Sequence, residues 1–361
     1  MGKLSGLTVI DLTQFLPGPV MTMMMADQGA RVIKIEPPAG DPARLQAPFA
    51  GRHSLWFANC NRGKEGLVLN LKDNADREKL TELVRSADVF VEGFRPGVMQ
   101  RLGFDYAALS AINPQLIYCS ISAFGQGNAL SHHPAHDLAV QALTGFLSVN
   151  DGPGGVPVVP GVPSADMAAG LTALSAVLMA VIGRAASGQG DYIDCAMFDS
   201  LLPWSVHIAG DALLGGEPPI SAQQRSLGGA GFYQVYTTSD GRHVCLAGRE
   251  PKFAQVLLGA LGREDLLAQT AQEAGEQGAL IAFLRETFAS RTRDEWTAWF
   301  ADKDVAFAPV LDFREALAAP HLAERGLLVE MDDDRRQIAP AIRFASEPDW
   351  TPGAVPELGR K

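Results

Sequence analysis

Two short stretches of the sequence place acidic and imidazole side chains at the beginnings of apolar runs. In "PSADMAAGLTALS", Asp166 is the only charged residue, and in "PAHDLAVQALTGF", His136 and Asp137 open a second apolar run. A carboxylate and an imidazole that face one substrate carbon could remove a proton from one side and return it on the other. Each could instead cap a helix, because Asp is a favoured N-cap residue and a lone histidine is more often structural.

A second set of candidate residues is cationic. Arg62, Lys64 and Lys72 lie in "NRGKEGLVLNLK", where a loop leads into a strand, and Arg95 follows the strand "DVFVEGF" directly. Ligands of open α/β sheets bind at the carboxyl ends of parallel strands. These positions indicate phosphate binding, and the alternative is a solvated surface, where scattered cations of an acidic protein usually lie.

The sequence around both sets of residues alternates between strand and helix patterns, and these elements would position the side chains. Strand-like runs occur at 7–12, 31–38, 88–94 and 116–124, with helical patterns between them and a long helix over 166–186. This order predicts an α/β fold with a Rossmann-like parallel sheet and helices on both faces. The turn after the first strand, "TQFLPGPV", lacks the GxGxxG pattern, so no dinucleotide cofactor is expected.

Glycine and proline mark the expected domain boundaries. The segments 151–163 and 215–231 are rich in both residue types, and "FYQVYTTSDGRHVCLAG" then predicts a β-hairpin. We expect a large α/β domain that spans residues 1–200 together with 305–361. A smaller α+β domain is expected over 215–304, and a linker helix over 201–214.

Net charge, apolar runs and cysteine spacing argue against some classes of protein for this sequence, including nucleic-acid-binding, membrane-spanning and metal-binding proteins. The 361 residues carry a net charge of −11, which disfavours a general nucleic-acid-binding surface. The longest apolar run, 167–183, contains small residues throughout and is followed by Arg184, so a buried helix is expected there and no membrane span. The start of the chain has no signal-peptide pattern, and the four cysteines are widely spaced without CxxC. We expect a cytoplasmic protein with reduced thiols and no metal site.

Several motifs together resemble those of the family III CoA-transferases. They run through most of the chain and include "LSGLTVIDLTQFLPGP", "DQGARVIKIEPPAGDPAR", "ADVFVEGFRPGVMQRLGF", "HDLAVQALTG" and "ASGQGDYIDCAMFDS". The family also contains alpha-methylacyl-CoA racemase, and its "GHD", "EPQF" and "GGAPFY" motifs are similar to "AHD", "REPKF" and "GGAGFY" here. The stretch "VPSADM" before the candidate aspartate departs from the racemase pattern.

The resemblance implies roles for particular residues. It implies that Asp166, His136, Glu250 and Asp137 are catalytic. It implies that the large domain binds acyl-CoA through cationic residues, which here are Arg62, Lys64, Arg95, Arg44 and Lys72. Arg44 is expected to replace a family arginine at a position where this chain has Pro37. The resemblance also implies an interlocked homodimer and no cofactor, since CoA is part of the substrate.

Two chemistries are open within this family. In the first, Asp166 and His136 are bases on opposite faces of the α-carbon of a 2-methylacyl-CoA, and Glu250 orients His136. The enolate oxygen would then be stabilised by backbone N–H groups at the start of the 166–186 helix. In the second, Asp166 is a nucleophile that forms an anhydride and then a CoA thioester. His136 and Glu250 match residues of the racemase motifs, so the resemblance favours racemisation, with CoA transfer as the alternative. A racemase of this kind is expected to act in fatty acid metabolism.

Overall fold

Six parallel strands form the main sheet of the protein. The computed structural model describes residues 2–331, 336–347 and 350–359. The strands of the described chain are β1 Thr8–Asp11, β2 Arg31–Glu36, β3 Phe49–Ala50, β4 His53–Ser54, β5 Glu65–Val68, β6 Val89–Glu92, β7 Ile117–Ser122, β8 Tyr192–Ala196, β9 Tyr233–Thr237, β10 His243–Ala247, β11 Phe307–Pro309, β12 Leu328–Glu330 and β13 Arg336–Ile338. The sheet order is β5-β2-β1-β6-β7-β8, with every neighbouring pair parallel. This confirms the predicted parallel α/β architecture.

The helices mostly connect these strands. They are α1 Pro17–Asp27, α2 Leu55–Asn61, α3 Asn74–Ser86, α4 Val98–Leu102, α5 Tyr106–Ile112, α6 Asp137–Leu143, α7 Ser164–Ser187, α8 Met197–Leu201, α9 Gly210–Leu213, α10 Pro251–Ala260, α11 Gly278–Phe288, α12 Arg293–Phe300, α13 Phe313–Leu317 and α14 Pro320–Glu324. All six strands of the main sheet run in the same direction, because each neighbouring pair is parallel. The carboxyl ends of the strands therefore share one edge, where the candidate site residues are expected.

The sheet is buried on both faces, as its short apolar runs predict. On one face, Ile10, Ile33, Phe90 and Tyr118 pack with residues of α3 and α5, including Leu80. The other face carries α1 and α7, which cross closely. A Cβ at Gly170 of α7 would lie 2.8 Å from the carbonyl oxygen of Pro17, so the small side chains of α7 allow this approach.

Helix α7 is long and apolar enough, by length and composition, to cross a bilayer. Buried core helices of soluble proteins meet the same criteria, so this is weak evidence for a membrane span. Its residues Ala165, Ala169, Ala173 and Val177 are fully buried inside the large unit. The first half of α7 is therefore a core helix, as the sequence predicts, whereas its second half exposes apolar side chains that include Met179 and Ile182.

The chain divides into two compact units. The larger contains Met1–Thr144, Pro160–Trp204 and Pro320–Lys361, and the smaller contains Gly145–Val159 and Ser205–Ala319. The smaller unit is larger than the expected 215–304, since it also contains 145–159, 205–214 and 305–319. At its C-terminal boundary the reason is that β11 pairs with β10. The segment 201–214 is not one linker helix. It contains a 3₁₀ turn at Leu202–Ser205 and the single-turn helix α9.

The smaller unit has its own sheet and core. β9 and β10 form the antiparallel hairpin that the "SDGR" turn predicts, with residues 238–242 as the loop. Aromatic side chains dominate the packing beneath it. The rings of Tyr236 and Phe288 stack at 4.9 Å, and Trp296 meets Phe288 edge-on at 5.1 Å.

Two buried ion pairs hold the first strands and their loops together. Lys64 Nζ lies 2.9 Å from Asp11 Oδ2, and Lys34 Nζ lies 3.0 Å from Asp41 Oδ2; all four side chains are completely buried. Burial alone would raise the pKa of Asp11, but Lys64, Lys34 and the hydroxyl of Thr13 together hold it well below its usual range. Burial lowers the pKa of Lys64 to about 8, against the attraction of Asp11. Removing one partner would leave the other charge buried and uncompensated.

We therefore expect Lys64→Met to lower the free energy of unfolding by about 3–5 kcal/mol, because Asp11 loses its nearest counterion. Urea unfolding followed by circular dichroism measures this change. The control is Arg31→Ala, which breaks the exposed Arg31–Glu65 pair between β2 and β5. That variant should lose less than about 1 kcal/mol. Equal losses in the two variants would contradict a structural role for Lys64.

Candidate active site

The first turns of α6 and α7 meet at Asp137, and neither Asp166 nor His136 caps its helix. Helix α7 begins at Ser164, two residues earlier than predicted, so Asp166 lies inside its first turn and Pro163 is the N-cap residue. His136 occupies the N-cap position of α6, but its side chain makes no capping hydrogen bond. The capping alternative therefore does not explain either side chain.

The carboxylate of Asp137 joins the two helix starts. Its Oδ1 accepts hydrogen bonds from the backbone N–H groups of Ala165, at 2.8 Å, and Asp166, at 3.2 Å. Its Oδ2 accepts a hydrogen bond from Gln141 Nε2 at 2.6 Å. A negative charge at the N-terminus of a long helix is also favoured by the helix dipole. Asp137 thus supplies from α6 the cap that α7 lacks in its own sequence.

Asp166 is a partly buried carboxyl whose side chain makes no hydrogen bond within the described ranges. Burial raises the pKa of Asp166 to about 7, and the neighbouring Asp137 carboxylate adds to the rise. At neutral pH this carboxyl exists in both protonation states. It can therefore act as a nucleophile or a base when ionised and return a proton when neutral.

The expected enolate-stabilising donors at the start of α7 are already occupied. The N–H groups of Ala165 and Asp166 bind Asp137, while those of Ser164 and Met167 donate to the carbonyl oxygens of Val162 and Pro163. All four N–H groups of this turn have partners in the structure. This corrects the expectation from the sequence, because a developing oxyanion must find its donors elsewhere.

His136 is exposed, and its ring contacts an aromatic residue that the sequence analysis did not identify. The ring of Phe15 lies edge-on to the imidazole, with centroids 6.2 Å apart, and also faces Trp56 at 6.4 Å. Within the described residues, Phe15 is the only non-glycine residue with a positive φ, 63°. Such strain often occurs at functional sites. No sequence pattern identifies a phenylalanine held in this conformation.

Glu250 lies in the smaller unit, at the N-cap position of α10. It is exposed and makes no capping hydrogen bond there. Its predicted role in orienting His136 stays a prediction.

Three of the five predicted phosphate-binding cations have protein partners. Lys64 donates to Asp11, the Pro19 carbonyl oxygen and Asn61 Oδ1, so all three of its N–H groups are used. The predicted phosphate contact of Lys64 is therefore wrong, because its ammonium group is buried and all of its N–H groups donate to protein acceptors. The structure gives Lys64 a structural role instead.

The guanidinium groups of Arg62 and Arg44 are also engaged. Arg62 forms a two-point contact with Asp27, at 2.9 and 2.7 Å, and both side chains are nearly buried. Arg44 binds both oxygens of Glu36 at 2.7 Å and stacks over the ring of Phe57. Both charges are neutralised inside the large unit, which weakens their assignment as phosphate ligands.

Arg95 and Lys72 remain available for a ligand. Both are exposed, and neither side chain has a hydrogen-bond or ion-pair partner in the part of the chain that the structure describes. Arg95 follows β6, at the carboxyl edge of the sheet, where ligands of such sheets bind. It is the strongest candidate for a phosphate contact among the five.

A methionine-lined cavity lies beside α1 and the start of α7. Its volume is about 330 Å³, and its lining includes Val20, Met23, Met24, Met167 and the segment 338–342. Met21 and Met25 are completely buried in the core instead. Only part of the methionine-rich stretch of α1 therefore lines the cavity.

The known proteins that are similar to this chain include enzymes of both kinds that the sequence left open, a CoA-transferase and a racemase. The acetyl-CoA:oxalate CoA-transferase of Acetobacter aceti is 37% identical over 343 residues, which cover 91% of this chain and 86% of the relative. The human alpha-methylacyl-CoA racemase is 31% identical over 360 residues, covering 99% of this chain and 89% of the relative. The greater similarity to the CoA-transferase favours the alternative chemistry over racemisation.

Among solved structures, a CAIB/BAIF family protein from Brucella suis superposes with a TM-score of 0.86 at 30% sequence identity. The match covers 99% of this chain and 96% of that one. The sequence model of CoA-transferase family III matches residues 4–361 of this chain. These findings confirm the resemblance seen in the sequence motifs, and the chain belongs to CoA-transferase family III.

Proposed function

We propose that this protein is a CoA-transferase that moves CoA between carboxylic acids, with Asp166 as the nucleophile. The observation that carries the proposal is the carboxyl of Asp166, which has no hydrogen-bond partner in the described chain and lies at a helix start fixed by Asp137. The similarity to a known CoA-transferase supports it. The proposed substrate is an acyl-CoA in the cytoplasm, and no cofactor other than the transferred CoA is proposed.

The proposed reaction has four balanced steps. The ionised Asp166 attacks the thioester carbonyl, which releases CoA thiolate and forms an acyl-aspartyl anhydride. The thiolate attacks the Asp166 carbonyl, so that the donor carboxylate leaves and a CoA thioester forms on the enzyme. The acceptor carboxylate displaces CoA and forms a second anhydride. Attack of CoA on its acyl carbonyl releases the new acyl-CoA and restores Asp166.

The surrounding residues would support these steps by position and charge. Asp137 fixes the backbone of Asp166, so the nucleophile is held at one place during successive attacks. Arg95 is proposed to contact the CoA phosphates, since charge-assisted hydrogen bonds to phosphate are strong and its guanidinium has no other described partner.

Two-base racemisation of a 2-methylacyl-CoA is the second candidate function. The observation that favours it is the imidazole of His136 at the start of α6, directly before the residue that binds α7. The similarity to a racemase supports it to a lesser degree. Incubation of a 2-methylacyl-CoA in D₂O distinguishes the reactions, because only racemisation exchanges deuterium into C2.

CoA transfer predicts that Asp166→Ala is inactive while His136→Ala remains largely active. The wild-type protein incubated with acyl-CoA should form an adduct on Asp166 that hydroxylamine traps, because an anhydride or thioester carbonyl reacts with this amine. Mass spectrometry of the peptide that contains Asp166 measures the adduct.

The Asp166→Ala protein is the control for adduct position, and its circular dichroism spectrum checks folding. Failure to trap any adduct, combined with deuterium exchange at C2 that requires His136, would replace the transferase by the racemase. A trapped adduct together with CoA exchange between acids would exclude that outcome.

The pKa of Asp166 predicts a pH dependence. Because only the ionised carboxylate attacks, kcat/KM should fall about tenfold for each pH unit below about 7 and level off above it. Asp137→Asn keeps an oxygen for the N–H groups of α7 but removes the negative charge. The midpoint should therefore move to lower pH in that variant.

Steady-state rates between about pH 5 and 9 measure these profiles. Asp76→Asn in the first turn of α3 is the matched control, and it should leave the midpoint unchanged. A wild-type profile that is flat through pH 7, or a midpoint that moves upward in Asp137→Asn, would contradict the proposed nucleophile.

We also propose the interlocked homodimer that the family resemblance implies. Large apolar side chains are exposed on both units; Met179 and Ile182 of α7 are 70% and 74% exposed, and Leu214 is 89% exposed. Apolar surface of this kind often marks a protein interface. Since interlocked chains separate only with partial unfolding, sedimentation should show a dimer down to nanomolar concentration. A reversible monomer–dimer equilibrium at micromolar concentration would contradict this assembly.

A further inference from the structure

Three adjacent strands of the main sheet carry a row of polar side chains, at or near their carboxyl ends, that the proposed reaction does not use. Glu92 of β6 is in register with Ser120 of β7, and Ser120 is in register with Asp194 of β8. Side chains at matching register positions of neighbouring strands point to the same face. The three residues therefore form one row near the carboxyl edge of the sheet.

The row connects the loops that follow β6 and β7. Glu92 Oε2 accepts a hydrogen bond from the Phe94 N–H at 2.8 Å, and the hydroxyl of Ser120 also bonds to Glu92. The side chain of Gln126 donates to Ser120 Oγ at 3.3 Å, while its backbone N–H donates to Asp194 Oδ2 at 2.8 Å. Glu92 is only 4% exposed, so these partners take the place of water.

The loop held by Glu92 carries Arg95. Phe94, which bonds to Glu92, precedes Arg95 directly and packs against the core of the large unit. The Arg95 carbonyl oxygen accepts a hydrogen bond from the Val98 N–H at 3.1 Å, and Gly97 has a φ of 81°. This turn is short, so a change at the Phe94 N–H would alter the direction in which Arg95 projects.

We propose that Glu92 is a positioning residue for acyl-CoA binding, because it fixes the loop that presents Arg95 to the CoA phosphates. The inference rests on the proposed function, which assigns Arg95 to those phosphates. Glu92 itself is buried and acts only through the Phe94 N–H and Ser120.

The surroundings of Glu92 make this contact sensitive to pH. Burial raises the pKa of Glu92 to about 7; the hydrogen bonds from Ser120 and Phe94 lower it, and Asp194 raises it. The phenols of Tyr118 and Tyr192 lie on the same face as the row, and the thiol of Cys119 lies on the opposite face of β7; burial raises the pKa of each, so they stay neutral. Protonation of Glu92 removes the charge that strengthens both hydrogen bonds. CoA affinity should therefore fall as the pH decreases through 7.

Direct binding of dephospho-CoA by calorimetry tests the inference. This probe retains the pyrophosphate but lacks the 3′-phosphate, which would itself titrate near pH 6. We expect the wild-type affinity to fall about fivefold from pH 8 to pH 6, as one charge-assisted hydrogen bond weakens. Glu92→Gln mimics the neutral acid. Its affinity at pH 8 should be about fivefold weaker than wild type and independent of pH.

Two further variants should move the wild-type midpoint in opposite directions. Asp194→Asn removes a negative charge that raises the pKa of Glu92, so the midpoint should move to lower pH. Ser120→Ala removes a hydrogen bond that lowers this pKa, so the midpoint should move to higher pH. A purely structural role for the row would not produce shifts of opposite sign.

Glu65→Gln on the exposed edge strand β5 is the matched control and should bind like the wild type. Arg95→Ala separates the possible failures. If Arg95→Ala weakens binding while Glu92→Gln behaves like the wild type at both pH values, the positioning role is overturned. If Arg95→Ala binds normally, the phosphate contact and the inference fail together. The proposed reaction fails separately, if no adduct forms on Asp166.

Discussion

A single carboxylate oxygen, Asp137 Oδ1, fixes the helix start that carries Asp166, the proposed nucleophile. It accepts the first-turn N–H groups of Ala165 and Asp166 and so joins α6 to α7. Helix α7 needs this partner, because its own N-cap residue is Pro163, which has no side-chain acceptor. The contact has an electrostatic cost, since two carboxyl groups are held close together in a partly buried place. That cost appears as the raised pKa of Asp166, to which burial contributes most. Asp137 therefore fixes the position of this carboxyl and makes a smaller contribution than burial to its raised pKa.

The buried charges beneath the first strands support the same edge of the sheet. Lys34 Nζ donates to the Thr13 carbonyl oxygen at 2.8 Å, and Thr13 bonds through its N–H and hydroxyl to Asp11. These contacts fix the loop that leads to Phe15, whose strained backbone places its ring against His136. A left-handed conformation of this kind persists only where neighbouring contacts determine it. The ion pairs thus stabilise the large unit and also hold the wall beside the candidate site.

The sequence predicts the scaffold well because burial and turn chemistry are local properties. Apolar runs such as 88–94 and 116–124 give strands, and the "SDGR" turn gives a hairpin, because in both cases the deciding contacts lie within a few residues. The partners of charged groups are a different matter. Lys64 and Asp11 are 53 residues apart in the chain, and no local pattern distinguishes a buried ion pair from a phosphate ligand. The same limit applies to Arg62, which pairs with Asp27, and to Arg44, which pairs with Glu36. Arg95 differs because it lies shortly after the end of a strand. In a parallel sheet this position places Arg95 at the carboxyl edge, where ligands bind.

The occupied first turn of α7 constrains either chemistry at Asp166. Transfer passes through tetrahedral oxyanions, and racemisation passes through an enolate, so both require hydrogen-bond donors beside the substrate carbonyl oxygen. The N–H groups of this turn already have acceptors, and the carboxylate of Asp137 would repel a negative charge that develops on the substrate. The donors must therefore come from outside this turn. In either proposed reaction two tasks would thus be separate: Asp137 and α7 would hold the carboxyl of Asp166, while donors outside this turn would stabilise the charge that develops on the substrate.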